Sequence, residues 1–186
     1  MHLTVLERCI LAITAADLRD LWGEDVLHIP LGSLGESSRM NSGDFPPDGI
    51  LPMEVPILFT VLIGRDDIEM FTSLTIEPTE GAAASVMVIG AVPEDPELLF
   101  VLNPASSEVL LLDLPQSTVE TVNSTLSVFV EFLYRLGRLI ANDPGGRERA
   151  ERATRIRSEL VKEDPVAFAH PDTWWSTAFA ELAKAK

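Results

Sequence analysis

Apolar positions follow two different spacings along this chain, and the change falls near residue 122. Three short runs, Val86–Val92, Leu98–Leu102 and Val109–Leu114, are strand-sized and separated by turn segments, which predicts three strands of one sheet. From Leu126 the apolar positions 126, 129, 130, 133, 136 and 140 keep helical spacing, with Asn123 or Ser124 placed as the cap and Asn142 to Gly146 as the stop. Upstream, Thr14-Ala15-Ala16-Asp17 has the form of a capping box for a short helix, with Leu18, Leu21 and Trp22 facing the core and Gly23 ending it. Ile57 to Ile63 is a continuous apolar run, Gly64-Arg65-Asp66-Asp67 a turn, and Ile68 to Ile76 alternates, which predicts a hairpin with one half-exposed strand.

Between these elements the chain is punctuated by turn formers. Residues 30 to 56 are rich in Gly, Ser and Pro and are predicted to be mostly surface loop, with a short helical turn around Ser33 to Met40. Two further links lie at sheet ends: Glu77 to Ala84, and Pro93 to Glu97, whose two prolines exclude a continuing strand. Near the C-terminus, residues 147 to 163 form a charged helix whose arginines alternate with Glu148, Glu151 and Glu159, the pattern of a solvated helix with internal ion pairs. A last helix begins at Pro171; its adjacent Trp174 and Trp175 point about 100° apart, so one anchors the helix while the other is partly exposed. The whole predicts one α+β domain over residues 1–186, with a mostly antiparallel central sheet of about five strands, a short N-terminal helix and three C-terminal helices.

At 186 residues and 46% apolar content the chain can bury a core of its own. Its longest apolar segments are strand-sized and Glu7 and Arg8 interrupt the N-terminus, so a soluble, cytoplasmic protein with no membrane association is expected. The single Cys9 cannot form an internal disulfide and is expected to be buried; with His2, His28 and His170 scattered, no metal site is indicated. Net charge changes the picture more. Of the total of -15, residues 1 to 134 carry -17 and residues 135 to 186 carry +2. Such an acidic half repels nucleic acid and can attract a basic protein, although acidity also simply keeps a protein dispersed.

Reaction chemistry is sparse. There is no glycine-rich phosphate loop, and the only lysines are Lys162, Lys184 and Lys186. Gly32-Ser33-Leu34-Gly35 is one residue short of a nucleophile elbow and is better explained as a turn. His170 with Asp172 fits a helix start, and no spacing singles out two carboxylates for acid–base work, so no cofactor and no catalytic residue is assigned. Asn123-Ser124-Thr125 matches a glycosylation acceptor but is better explained as a helix cap.

Several segments, taken in order, resemble the immunity proteins of the SUKH superfamily, related to the Smi1/Knr4 proteins, and in particular its SUKH-4 branch. They are Leu51 to Thr60, the strand with Gly90, the strand pair around Asn103-Pro104, Val122 to Leu126 followed by Phe129 and Phe132-Leu133, and Asp164-Pro165 with Trp174-Trp175. Together they cover roughly residues 14 to 182. One departure is the turn Asn103-Pro104-Ala105-Ser106-Ser107, which lacks the family's glycine. The resemblance implies a non-enzymatic antidote that binds the toxic domain of a cognate polymorphic toxin, often a nuclease or a nucleic-acid deaminase, where an acidic surface can mimic a phosphate backbone.

The acidic residues expected to contact such a partner are Asp66, Asp67 and Glu69 on the hairpin, Glu77 and Glu80 after it, and Glu94, Asp95 and Glu97 on the proline-flanked loop. Two alternatives compete: an intracellular interaction or regulatory module of the same fold with a non-toxin partner, and a small hydrolase or transferase using unrecognised carboxylates.

Overall fold

Thr14 and Asp17 close the capping box that the sequence predicts: Asp17 N donates to Thr14 Oγ1 at 3.2 Å, and Thr14 N donates to Asp17 Oδ2 at 2.8 Å. They open helix α1, Ala15–Trp22, in a computed structural model of the protein that describes residues 12–34, 38–77 and 83–184. Leu18 is fully buried while Leu21 and Trp22 are half-buried, and Gly23 ends the helix at φ 59°. Cys9 and His2 lie outside the described residues.

The stretch read as surface loop contains more order than its composition indicates. Strand β1, Val26–His28, pairs antiparallel with β2, Ile50–Pro52, as a separate two-stranded sheet. Ile50 and Leu51 are completely buried, so the apolar pair carries this part of the chain into the core. Of the helical turn expected at Ser33 to Met40, residues 33–34 belong to a 3₁₀ turn at Leu31–Leu34, residues 38–40 are irregular and residues 35–37 lie outside the described set; further single 3₁₀ turns follow at Ser42–Asp44 and Pro47–Gly49.

The main sheet has seven strands rather than about five. They are β3 (Glu54–Val55), β4 (Phe59–Thr60), β5 (Ser73–Ile76), β6 (Ala84–Val92), β7 (Asp95–Leu102), β8 (Val109–Asp113) and β9 (Thr118–Asn123). All pairs are antiparallel, in the order β3-β4-β6-β7-β8-β9, with β5 also on β6. The expected hairpin of 57–63 with 68–76 does not form. Strands β4 and β5 instead share one edge of β6, β4 opposite Ala91 and β5 opposite Ala84 to Met87. A turn at residues 55–58 consumes the start of the apolar run, and loop 61–72 moves the chain along that edge.

The proline-flanked link is likewise tighter than expected. Only Pro93-Glu94 turn, Val92 pairs with Asp95, and Pro96 lies within β7. At the β7–β8 connection Ser107 adopts φ 69°, the left-handed region that favours glycine, while its N–H donates to Asn103 O at 2.8 Å.

Continuous apolar runs, instead of alternating ones, reflect a sheet buried on both faces. One face carries Met87, Ile89, Phe100, Leu102, Val109, Leu111 and Val122 against the helices. The other carries Val86, Val88, Leu99, Val101, Leu110 and Leu112, joined by Ile68 from loop 61–72. Gly90 lets strands cross closely: an added Cβ would overlap the Phe59 ring and lie 2.9 Å from Thr60 O. The rings of Phe59, Phe100 and Phe129 then meet with centroids 5.2 to 5.7 Å apart.

Helix α2, Leu126–Ala141, crosses the sheet with nine buried side chains or backbone positions on its inner face. Its cap is Thr125, whose hydroxyl accepts from Val128 N at 3.2 Å; neither Asn123 nor Ser124 takes that role. Asn123 is instead fully buried, its amide donating to Asp164 Oδ2 at 3.0 Å and accepting from Trp175 Nε1 at 2.8 Å. The N–H of Ser124 donates to the same Asp164 oxygen at 2.9 Å. Helix α3, Gly146–Glu163, shows the expected internal pairs Arg147–Glu151 and Arg152–Glu148. A 3₁₀ turn at Pro165–Phe168 leads to α4, Trp174–Leu182, which starts three residues later than predicted because Thr173 is the cap. Trp175 is fully buried and Trp174 half-buried, as the 100° argument requires.

Asp164→Ala leaves the buried Asn123 amide and the half-buried Ser124 N–H without an acceptor, and is expected to cost about 2–3 kcal/mol, read as a lower urea midpoint at unchanged slope. Gly90→Ala is expected to cost about 1–3 kcal/mol by the same measurement, since Phe59 has to leave its place in the aromatic cluster.

Candidate partner-binding surface

The short turn after β6 and the start of loop 61–72 meet at one end of the main sheet. Thr60 sits opposite Ala91, and a Cβ built on Gly64 would lie 3.6 Å from Pro96 Cβ. Arg65 therefore reaches across from the loop to β7. Its Nη1 donates to both Glu97 oxygens at 2.9 Å, while Nε and Nη2 donate to Asp67 at 2.9 and 2.8 Å. These hydrogen bonds hold the Asp67 carboxyl below the usual aspartate range and push the guanidinium up.

The predicted acidic residues are thus not equivalent. Asp67 and Glu97 share Arg65 and so carry much of their charge internally. Asp95 accepts from Glu97 N at 3.2 Å, which fixes the strand start. Asp66, Glu69 and Glu94 are exposed, Glu94 on a turn residue at φ 66°. Glu77 follows β5 at the opposite end of β6, about 27 Å of strand away. Glu80 lies outside the described residues.

One residue that sequence reasoning missed joins this end. Asp113 closes β8 opposite Leu98, beside the Leu114 N–H that donates to Glu97 O at 3.0 Å. Its signal was present as the first acid in an otherwise apolar run, Val109 to Leu112. The surface built here is a set of carboxylates on loop 61–72 and on the tight β6–β7 turn at one end of the sheet, with Arg65 as a counter-ion.

Elsewhere, acids meet cations structurally. Glu131, Glu159 and Glu163 converge on Arg135 at 2.5, 2.8 and 3.4 Å and tie α2 to α3. Burial, then the Glu131 charge, raises the Glu163 carboxyl; burial likewise raises Glu120, against the hydrogen bond from Trp174 N. A cleft of about 910 Å³ between α1, α2 and α3 is lined by Arg138, Arg152 and Arg155, with Asp17 as its carboxylate. Asp17 is already committed to Thr14. Among the described residues no group of three His, Cys, Asp or Glu could hold a metal ion, and no helix is long and apolar enough to cross a membrane.

A family model described as SUKH-4 immunity protein matches residues 46–181 of the chain, the span from the 3₁₀ turn before β2 to the last turn of α4. No curated protein and no solved structure matches it.

Arg65→Ala is expected to move the Asp67 titration midpoint upward into the ordinary aspartate range, followed by side-chain carboxyl shifts in NMR. Because the folded midpoint is depressed, whatever the Arg65 contact adds to stability is present at neutral pH and disappears as pH falls through that midpoint. The variant should therefore differ from the parent near neutrality and converge with it in acid.

Proposed function

The chain belongs to the SUKH-4 immunity protein family, and on that premise we propose that it is a cytoplasmic antidote that neutralises a cognate polymorphic toxin by binding its toxic domain. The family is generally non-enzymatic, and its name points to toxin immunity. The match over residues 46–181 carries this reading. The toxin class we propose is a nuclease or a nucleic-acid deaminase, whose phosphate-binding cleft is basic. The acidity of the first 134 residues supports that choice, because a negative field raises the encounter rate with a basic domain roughly 10- to 1000-fold at low salt.

Asp66, Glu69 and Glu94 are the proposed leading contacts at the acidic sheet end, supported by Asp67, Asp95 and Glu97. The two-residue β6–β7 turn under Glu94, and the Arg65 pairs to Asp67 and Glu97 that tie down the loop carrying Asp66 and Glu69, keep the ordering cost of binding low. Glu77 and Glu80 are proposed as contacts of the wider field. The antidote acts by occupancy, one molecule per toxin, without metal, cofactor or turnover.

If the C-terminal domain of the adjacent gene's product is the toxin, its co-expression with this chain is expected to restore growth only at stoichiometric antidote; full protection at one antidote per hundred toxins overturns the occupancy mechanism. Reversing Asp66, Glu69 and Glu94 to Lys is expected to slow association at least about tenfold and to flatten its salt dependence. Association rates that stay the same place the interface elsewhere.

A further inference from the structure

Two large apolar side chains stand in solvent within six residues of each other: Ile57, 67% exposed, and Leu62, 73% exposed. Ile57 is the third residue of the turn Val55-Pro56-Ile57-Leu58, closed by Leu58 N donating to Val55 O at 3.0 Å. Its φ is 63°, a conformation that glycine or asparagine adopts in such turns and that a β-branched residue resists. The side chain gains no burial in return. Proline at the second position already suits the turn, so glycine at the third would form it with less strain.

Leu62 is held just as firmly. Its N–H donates to the Thr60 hydroxyl at 3.1 Å, and the N–H of Val61 donates to Met53 O at 2.9 Å. Beside it lies a groove of about 380 Å³, lined by half-buried Trp22 and Met53 and by exposed Pro56 and Leu62. Two exposed carboxylates, Asp25 and Glu54, line the same groove, and among the described residues neither is paired with a Lys or Arg. Separate segments supply the walls: the end of α1, the link between β2 and β3, the strained turn and the start of loop 61–72. Three residues beyond Leu62 that loop reaches Arg65 and the acidic sheet end.

We propose that this groove, together with exposed Ile57 next in the chain to its wall residue Pro56, is the apolar anchor site for a basic segment of a partner protein, one that presents an aliphatic or aromatic side chain flanked by Lys or Arg. Charge complementarity selects the flanks, since the walls carry acids only; the apolar lining selects the central side chain. The proposal deepens the antidote reading and rests on it for the partner's identity. It assigns the acidic sheet end to steering and the groove to residence time, the division expected when exposed charges set encounter and a desolvated apolar centre sets dissociation.

Two measurements on the full chain separate the proposals. In the first, the peptides Lys-Arg-Leu-Arg-Lys and Glu-Asp-Leu-Asp-Glu are titrated into labelled protein. The basic peptide is expected to shift Trp22, Met53, Glu54, Ile57 and Leu62 signals at millimolar concentration, and the acidic one is not. Shifts confined to residues 64–69 and 93–97, or none with either peptide, overturn the groove. In the second, dissociation of the neighbouring gene's toxic domain is compared for the parent, Ile57→Gly with Leu62→Ser, and Val166→Ser, an exposed apolar residue elsewhere. The double variant is expected to melt no lower than the parent and to dissociate at least about tenfold faster, with Val166→Ser within twofold of the parent. Unchanged dissociation by the double variant overturns the groove and leaves the antidote reading standing. If the parent captures no toxic domain, that reading falls, and the peptide titration alone decides the groove.

Discussion

The amide of Asn123 is the joint between the sheet and the C-terminal helices. It sits fully buried at the end of β9, where a polar side chain needs all its partners, and it finds them 41 and 52 residues along the chain in Asp164 and Trp175. Each partner needs Asn123 in turn. Asp164 is almost completely buried and takes donors from Asn123 and Ser124, and the Trp175 indole would otherwise bury an unpaired N–H. Once these bonds form, Trp175 is fixed against Phe129 and Phe132, and Trp174 N reaches Glu120 on the same strand at 2.6 Å. Directional bonds thus set where α4 lies, and packing stabilises it there.

A sheet buried on both faces has few ways to present function. Its strand centres are committed to Leu, Val, Ile and Phe, so polar chemistry is confined to turns and ends. Those ends are anchored in different ways: only two residues join β6 to β7, while the long loop from β4 to β5 is pinned by Arg65 to Glu97. The exposed carboxylates are consequently carried on backbone whose position is set by the core. Preorganisation of this kind suits binding by shape and charge.

Which parts were legible in the sequence follows from the range of the interactions. Helix α2, the ion pairs of α3, the capping box of α1 and strands β6 to β8 rest on contacts within a few residues and were readable from spacing. Strand β9 was missed although Thr118 to Asn123 is rich in Thr and Val, because Asn123 and Ser124 looked like caps for the next helix. Strands β1 and β2 were missed because three residues among prolines and glycines leave no period to detect. At the candidate surface, clustering of acids was visible, but the pairing of Arg65 with Glu97 spans 32 residues and needs the fold. Ile57 to Ile63 misled most directly: a continuous apolar run normally signals a buried strand, and here it is a turn, a two-residue strand and two exposed side chains.

Charge segregation along the chain survives folding, and the reason lies in where the cations go. The second part of the chain holds most of the basic residues, yet Arg135, Arg147, Arg149 and Arg152 are each bound to a carboxylate on or beside the helices. Helix α3 packs against α2 and α4, on the helical layer, not along the acidic end of the sheet. Arg147 and Arg152 on α3 are paired with Glu151 and Glu148 of the same helix, and exposed charges are further screened over about 8 Å at physiological salt. The positive helix therefore does little to cancel the field at the sheet end, where Arg65 is the one local cation among the described residues of the β4–β5 and β6–β7 connections. On the proposed antidote reading, a partner would meet the negative sheet end first and the apolar groove beside it, an order that lets charge guide the encounter before desolvation holds it.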